Sequence, residues 1–395
     1  MFIIEIHGGN MSKLENLAAY IEAVAHNDAT IDTYNNVKDD ILQVDARELF
    51  ELFYQRLQQD EKQKDVLKYL DKLMHVFYQS LKHKMVDYPK DSFLEHMHQE
   101  NNELATRLEA IKDILKEKNL LHYQEVLLDL FTQLLAFDVH YIKKENILFP
   151  YLEKKNEIFQ GVSIMWTLHD QTRDSLKGVI NLLKAEKLDT SALEKAIGRY
   201  FFDAYGLIQK EEAILFVVTA QECSINEMEH MREQSFEIGF AFIEEPDYRK
   251  VESLSNKSDQ WLYTTKTGTL TYNQLTLFLD TLPIDCTIVD ENDKVIYFNS
   301  PKDRFFPRSP AVIGRDVANC HPADSVYMVH RIIDAFRANE KDVASFWIDF
   351  KGRKILIQYY AMRDENNAYK GVIEVTQDIS DVISIKGQKR LLDWD

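Results

Sequence analysis

The sequence predicts a multidomain α and α+β protein. An N-terminal helical region leads into an antiparallel four-helix bundle, and a C-terminal α+β domain comes after it, built on a five-stranded antiparallel sheet. Three observations carry this. Apolar residues recur at three- and four-residue steps from about residue 14 to 220, the period of amphipathic helices. Beyond about residue 284 the pattern changes to short strand-type runs separated by turn residues. Only 12 Gly and 8 Pro occur in 395 residues, so long regular elements are expected, most of them helical. The length suits two or three domains.

The first ten residues, MFIIEIHGGN, do not resemble the rest of the chain. Gly8-Gly9 can be encoded by a ribosome-binding sequence just before Met11, so residues 1–13 are expected to be a mis-called start or a disordered tail. Residues 14–90 read as a helical region, with Leu49, Phe50, Phe53 and Leu57, then Val66, Leu70, Leu73 and Phe77, on apolar stripes. Pro89 breaks the pattern, and Ser92 with Glu95 forms a capping box that restarts it. Four longer helices are expected at 92–117, 121–154, 161–186 and 191–220, the last opened by a second box, Ser191 with Glu194. Short connections make them an antiparallel bundle over 91–245. Residues 246–271 read as a linker, because Pro246–Gln260 is polar and aperiodic. The α+β domain spans 272–385 and leaves a tail at 386–395. Its elements are a helix at Tyr272–Leu282, strands at Cys286–Asp290 and Lys294–Asn299, a helix at 323–338, and strands at Ser345–Phe350, Lys354–Met362 and Gly371–Gln377.

Composition excludes several functions. With 65 acidic against 47 basic side chains the net charge is −18, which repels phosphate backbones and argues against nucleic-acid binding. No apolar run reaches the roughly 18 residues of a membrane span, and no signal-peptide pattern opens the chain. Three scattered cysteines fit a reducing cytoplasm, not a disulfide framework. No Gly-rich phosphate loop, paired-cysteine zinc motif, GxSxG elbow or kinase signature occurs.

The chemistry that remains lies in the bundle. KKENILF (Lys143–Phe149) repeats as KEEAILF (Lys210–Phe216), so Glu145 and Glu212 hold equivalent places on different helices. His140 stands five residues before Glu145, and Leu207 five before Glu212. His169 lies amid Met165, Trp166 and Leu168, while His96 and His98 occupy the second turn of the first long helix. Imidazoles and carboxylates converging from several helices are how such bundles hold iron or manganese. The alternatives are solvent-facing glutamates beside their lysines and a hydrogen-bonded core histidine at 169. Five residues turn about 140° around an ideal helix. His140 and Glu145 therefore share an interior only by a sideways approach or through a π-bulge. His96 and His98 flank the stripe of Met97, Leu104, Leu108 and Ile111, so at most one reaches inside.

In the last domain, NCHPADS (Asn319–Ser325) precedes a helix. Pro322 with Asp324 or Ser325 is a helix start. The functional alternative makes Cys320, His321 and His330 ligand or haem contacts on the rim of a cavity.

These residues resemble a known family. The bundle is similar to the hemerythrin-like, HHE cation-binding proteins, and the whole chain resembles bacterial DUF438 proteins with a C-terminal PAS domain. The resemblance rests on HYIKKENILFPYLEK (His140–Lys154), MWTLHD (Met165–Asp170), QKEEAILF (Gln209–Phe216), FFPRSPAVIGRDVANCHPADSV (Phe305–Val326), RDENNAYKGVIEVTQDIS (Arg363–Ser380) and the closing LLDWD. It implies a mono- or dinuclear non-haem iron site that carries over to His140, Glu145, His169 and Glu212, with His98 or His96 nearby but out of register. Arg173 and Leu207 occupy places where further histidines would stand, so reversible oxygen carriage is not expected. The PAS resemblance implies a sensing and dimerisation module.

The leading expectation is therefore a cytoplasmic sensor or signalling regulator. Oxygen, nitric oxide or redox state would act on the iron site, the PAS domain would transmit, and an unidentified protein partner would receive the signal. A second reading is an enzyme, a di-iron oxidoreductase or iron-donating repair protein, although no catalytic residue is assignable. The third is a PAS-based haem or small-metabolite binder with an inert bundle.

Overall fold

The computed structural model describes residues 12–59, 61–82, 84, 87–117, 120, 122–248, 262–265 and 267–388. Residues 1–11, the centre of the expected linker and the end of the expected tail lie outside them. The chain divides into two compact units, one ending at Val251 and one beginning at Glu252.

Helices α1 (Lys13–Ala25), α2 (Ile31–Gln43), α3 (Ala46–Gln58) and α4 (Gln63–Lys82) lead the first unit. The first three start on capping boxes: Ser12 with Glu15, Thr30 with Thr33, and Asp45 with Glu48. In each, the two side chains satisfy one another's backbone N–H groups. Their apolar stripes, including Leu17, Leu49, Leu73 and Phe77, join Leu104, Phe149, Val179 and Phe216 of the bundle in one continuous core. Each such side chain contributes about 1.5–3 kcal/mol when fully buried.

The bundle's first helix is α5 (Phe93–Lys116). Ser92 caps it by accepting from the Glu95 N–H at 3.2 Å. The Glu95 carboxylate accepts from Asp91 N–H instead of Ser92, so half of the expected box forms. The second helix is assembled in pieces: α6 (Gln124–Gln133), a 3₁₀ turn (Leu134–Phe137), α7 (Asp138–Lys143), a π segment (Lys144–Leu148) and α8 (Phe149–Glu153). The third is α9 (Val162–Leu183). The fourth comprises α10 (Thr190–Lys210), a second π segment (Glu211–Leu215) and α11 (Phe216–Glu222). Asp189, not Ser191, caps α10, accepting from Ala192 N–H at 3.0 Å. Both π segments fall on the two copies of the repeat. Helix α12 (Ile225–Ile238), opened by the Ser224–Glu227 box, adds an element the periodicity did not predict.

In the second unit, β1 (Leu262–Thr265) and β2 (Gly268–Thr271) pair as a small hairpin where linker was expected. The alternating threonines there suit an extended ribbon. Helix α13 (Tyr272–Thr281) starts on a Thr271–Gln274 capping box. Then come β3 (Asp285–Asp290), β4 (Val295–Phe298), α14 (Ala323–Arg337), β5 (Val343–Phe350), β6 (Arg353–Arg363) and β7 (Tyr369–Asp378). The last five strands form one antiparallel sheet in the order β4-β3-β7-β6-β5. One face packs Val289, Val295 and Val372 against Ile333 and Phe336 of α14. Gly371, at φ 129°, lets β7 approach β3 so closely that a Cβ there would collide with the Val289 carbonyl.

Candidate metal centre

His140, on α7, sits at the middle of a buried polar network. Its Nδ1 lies 2.7 Å from Glu100 Oε2 on α5, and its Nε2 lies 2.8 Å from Glu211 Oε2 in the second π segment. The ring satisfies both carboxylates at once only when both nitrogens carry hydrogen. Two lysines complete the network: Lys143 donates to Glu100 Oε1, and Lys144 to Glu211 Oε1. Both lysines are 0% exposed, which a charged side chain tolerates only when paired. Asn101 donates to Glu211 and Glu212 at 3.0 Å each. Glu212 also accepts from Tyr88 at 3.1 Å and from His98 Nδ1 at 3.0 Å.

The charges hold one another in place. Burial by itself raises a carboxyl, yet Lys143 and His140 hold Glu100 below the usual range, and Lys144 and His140 hold Glu211 lower still. For the two lysines burial outweighs the attraction of their glutamates, and both amines are pulled below their ordinary value.

A second cluster lies around His169 on α9. Its Nδ1 is 2.8 Å from Glu145 Oε1, and Arg173 donates to both oxygens of the same carboxylate at 2.8 and 3.2 Å. Arg173 also reaches Asp138 at 2.6 Å and Asp170 at 3.1 Å. The His169 ring stacks on Tyr141 at 4.8 Å and Phe149 at 5.8 Å. Burial, reinforced by Lys144 and Arg173, pushes His169 well below the ordinary histidine value, so the ring is neutral. With Nδ1–H given to Glu145, the buried Nε2 keeps a lone pair that has no partner.

The π segments account for this layout. Their wider winding aligns residues five apart, which is how His140 and Glu145 both face inward. The four residues singled out in the sequence are thus all buried, but they divide. His140 belongs with Glu100 and Glu211, His169 with Glu145, and Glu212 with His98. His96 turns elsewhere, its Nε2 lying 3.1 Å from Asp91, a carboxylate that Arg232 also holds. Among the described residues no group of three or more His, Cys, Asp or Glu side chains is arranged to hold a metal ion. Sequence reasoning passed over Glu100, Glu211, Lys143 and Lys144. One signal was available: Lys144 stands four residues after His140, and Glu211 four after Leu207, the spacing of one helix face.

In the second unit the three rim candidates also separate. His330 is exposed on α14, a correction to its expected place at a cavity. Cys320 packs beside the apolar core and its thiol donates to the Asp316 carbonyl at 3.6 Å. His321 alone turns inward: its Nδ1–H donates to the Val317 carbonyl at 2.8 Å, burial lowers its pKa, and it feels Glu374 and Arg308. That face of the sheet carries a polar centre. Glu374 lies opposite Thr287 and Tyr359 in the register, Asp285 opposite Thr376, and Arg308 approaches Glu374 at 3.8 Å. Asp285 Oδ1, Thr376 Oγ1 and Arg308 Nε are buried without a partner.

Residues 90–218 match the family described as hemerythrin HHE cation binding domain, and residues 275–380 match a PAS domain family. The chain carries a hemerythrin HHE domain and a C-terminal PAS domain. Solved structures similar to it include a C-terminal domain from Streptococcus mutans, at 27% identity over 32% of this chain and 98% of that one, with a TM-score of 0.31. A sensory box sensor histidine kinase from Vibrio cholerae is 16% identical over 27% of this chain and 89% of that one, with a TM-score of 0.22. A PAS domain from Colwellia psychrerythraea is 18% identical over 28% and 97%, with a TM-score of 0.23. Comparison with curated proteins gives no match.

A hemerythrin HHE domain implies a cation-binding centre. In this chain the interior carboxylates already hold cations, namely Lys143, Lys144 and Arg173. One nitrogen, His169 Nε2, has the form of a metal ligand, with its other nitrogen oriented by a carboxylate. A resident ion needs three or more protein donors. The others are committed: both His140 nitrogens lie on glutamates, and both oxygens of Glu100, Glu145, Glu211 and Glu212 accept hydrogen bonds. A dication there would also face a buried ammonium. The residues present do not fit a resident metal ion.

Proposed function

We propose that this chain is a sensory or signalling regulator whose input enters through the PAS domain. The input is a small polar molecule bearing both hydrogen-bond donors and acceptors. The observation that carries this reading is the set of partnerless buried atoms, Arg308 Nε, Asp285 Oδ1 and Thr376 Oγ1, gathered on one face of one sheet. Leaving each such atom unsatisfied costs about 1–3 kcal/mol, which a bound ligand with matching groups would recover. Asp285, raised by its burial, and His321 supply titratable walls to the same space. Iron-based sensing of oxygen, nitric oxide or redox state is set aside because it requires a metal where ammonium groups stand. The output is a protein contact, with the PAS domain as the surface for a homodimer. A reducing cytoplasm suits the free thiols of Cys223, Cys286 and Cys320. No helix among the described residues is long and apolar enough to cross a membrane.

The test is native mass spectrometry of the full chain, with melting curves against amino acids, small carboxylates and nucleobases. A ligand that raises the melting transition of the wild type, but not of Arg308→Ala, is the expected result. No co-purified molecule and no stabilising compound in any class would overturn the reading.

A further inference from the structure

We infer that Lys143 and Lys144 are the resident cations of this bundle, and that Lys144 closes a latent metal site made of His140, Glu211 and His169. Each buried glutamate at the centre has its own ammonium: Glu100 has Lys143, and Glu211 has Lys144. His140 lies between the two carboxylates and ties the pairs together. Lys144 also belongs to the second cluster. Its Nζ lies 4.8 Å from the Tyr141 ring centre, and His169 stacks on that same tyrosine at 4.8 Å. The ammonium therefore stands between Glu211 and the histidine whose Nε2 has no partner.

Removing it changes what the centre can bind. Without Lys144 the Glu211 carboxylate keeps its charge and loses its cation. His140 and His169 then offer imidazole nitrogens to the same space. Two imidazoles and one carboxylate are a donor set for zinc, manganese or ferrous iron, with a remaining position open. This latent site belongs to the bundle alone and stands or falls separately from ligand binding by the PAS domain.

The experiment is metal content of the full chain, measured after incubation with zinc and dialysis. Wild type should retain far less than one ion per chain, and its melting transition should be unmoved by chelator. Lys144→Ala should retain about one ion, bind zinc at least about tenfold more tightly than wild type, and lose that ion when His169→Ala is added. A stoichiometric ion in wild type that His169→Ala releases would overturn the inference. So would a Lys144→Ala protein that binds no more zinc than wild type. Should Lys144→Ala fail to fold, Lys144→Gln is read in the same assay. If neither variant folds and zinc restores neither, the latent site is refuted.

Discussion

Lys144 and Glu211 occupy equivalent positions in the two copies of the repeat, and they pair with each other across the bundle. Each is also the first residue of its π segment. The internal near-symmetry of the bundle thus meets itself at a point where the two copies carry opposite charge.

That pair sets the first expectation. Glu211→Ala strands the buried Lys144 ammonium and should cost about 3–5 kcal/mol, the scale for removing one partner of a buried ion pair. Replacing both residues by apolar side chains, as Lys144→Met with Glu211→Leu, should cost less than the sum of the single changes. Urea denaturation of the three variants measures this coupling.

Stability should fall in two stages on acidification. His169 stays neutral in the folded chain far below its ordinary value of 6.5. The unfolded chain takes up that proton first, so the contribution is full above about pH 6.5 and declines below it. Glu100 and Glu211 are held below 4.5 when folded, so theirs is full above about that value and lost as pH falls toward the lower, folded one. His169→Phe should flatten the first stage and leave the second, as read from unfolding midpoints against pH.

Arg173 clasps both oxygens of Glu145, and it also binds Asp138 and Asp170. Arg173→Met should destabilise the bundle by about 2–4 kcal/mol, the buried-pair figure discounted for partial exposure. Arg173→Lys should recover part of it, since a point charge cannot reproduce the forked contact. Thermal melts of the full chain distinguish the two.

Gly371→Ala should damage the PAS domain alone. The substitution adds a Cβ against the Val289 carbonyl at a left-handed φ, and strain of this kind costs about 1–3 kcal/mol before the clash is counted. The second unit's transition should move to lower temperature, while the bundle's, read from protection of the buried helices in hydrogen exchange, should not.

Much of this was legible in the chain. The strands of the C-terminal sheet and its long helix fall within a few residues of their sequence pattern, because alternation and turn residues there are unambiguous. The hairpin at 262–271 was not, since threonine-rich ribbon and polar linker look alike without a partner strand. In the centre, the inward histidines and Glu145 could be picked out by type and repeat. The cations could not. A lysine next to a glutamate on a helix reads as a solvated surface pair, and only tertiary packing reveals that Lys143 and Lys144 are enclosed. Asp189 displaced Ser191 as a cap for a simpler reason: both are good acceptors, and the helix began at the earlier one.

The π segments make the bundle sensitive to the exact number of residues in two of its helices. Each is an α-helical stretch holding one surplus residue. Deleting Asn146 or Ala213 would let the backbone relax into ordinary α-winding, but everything after the deletion would turn by about 100°. Leu148 and Phe149, or Leu215 and Phe216, all enclosed now, would swing off the core. Single-residue deletions within 144–148 and 211–215 should therefore be far less tolerated than point substitutions at exposed positions of the same helices, and a deletion scan would show two narrow troughs one repeat apart.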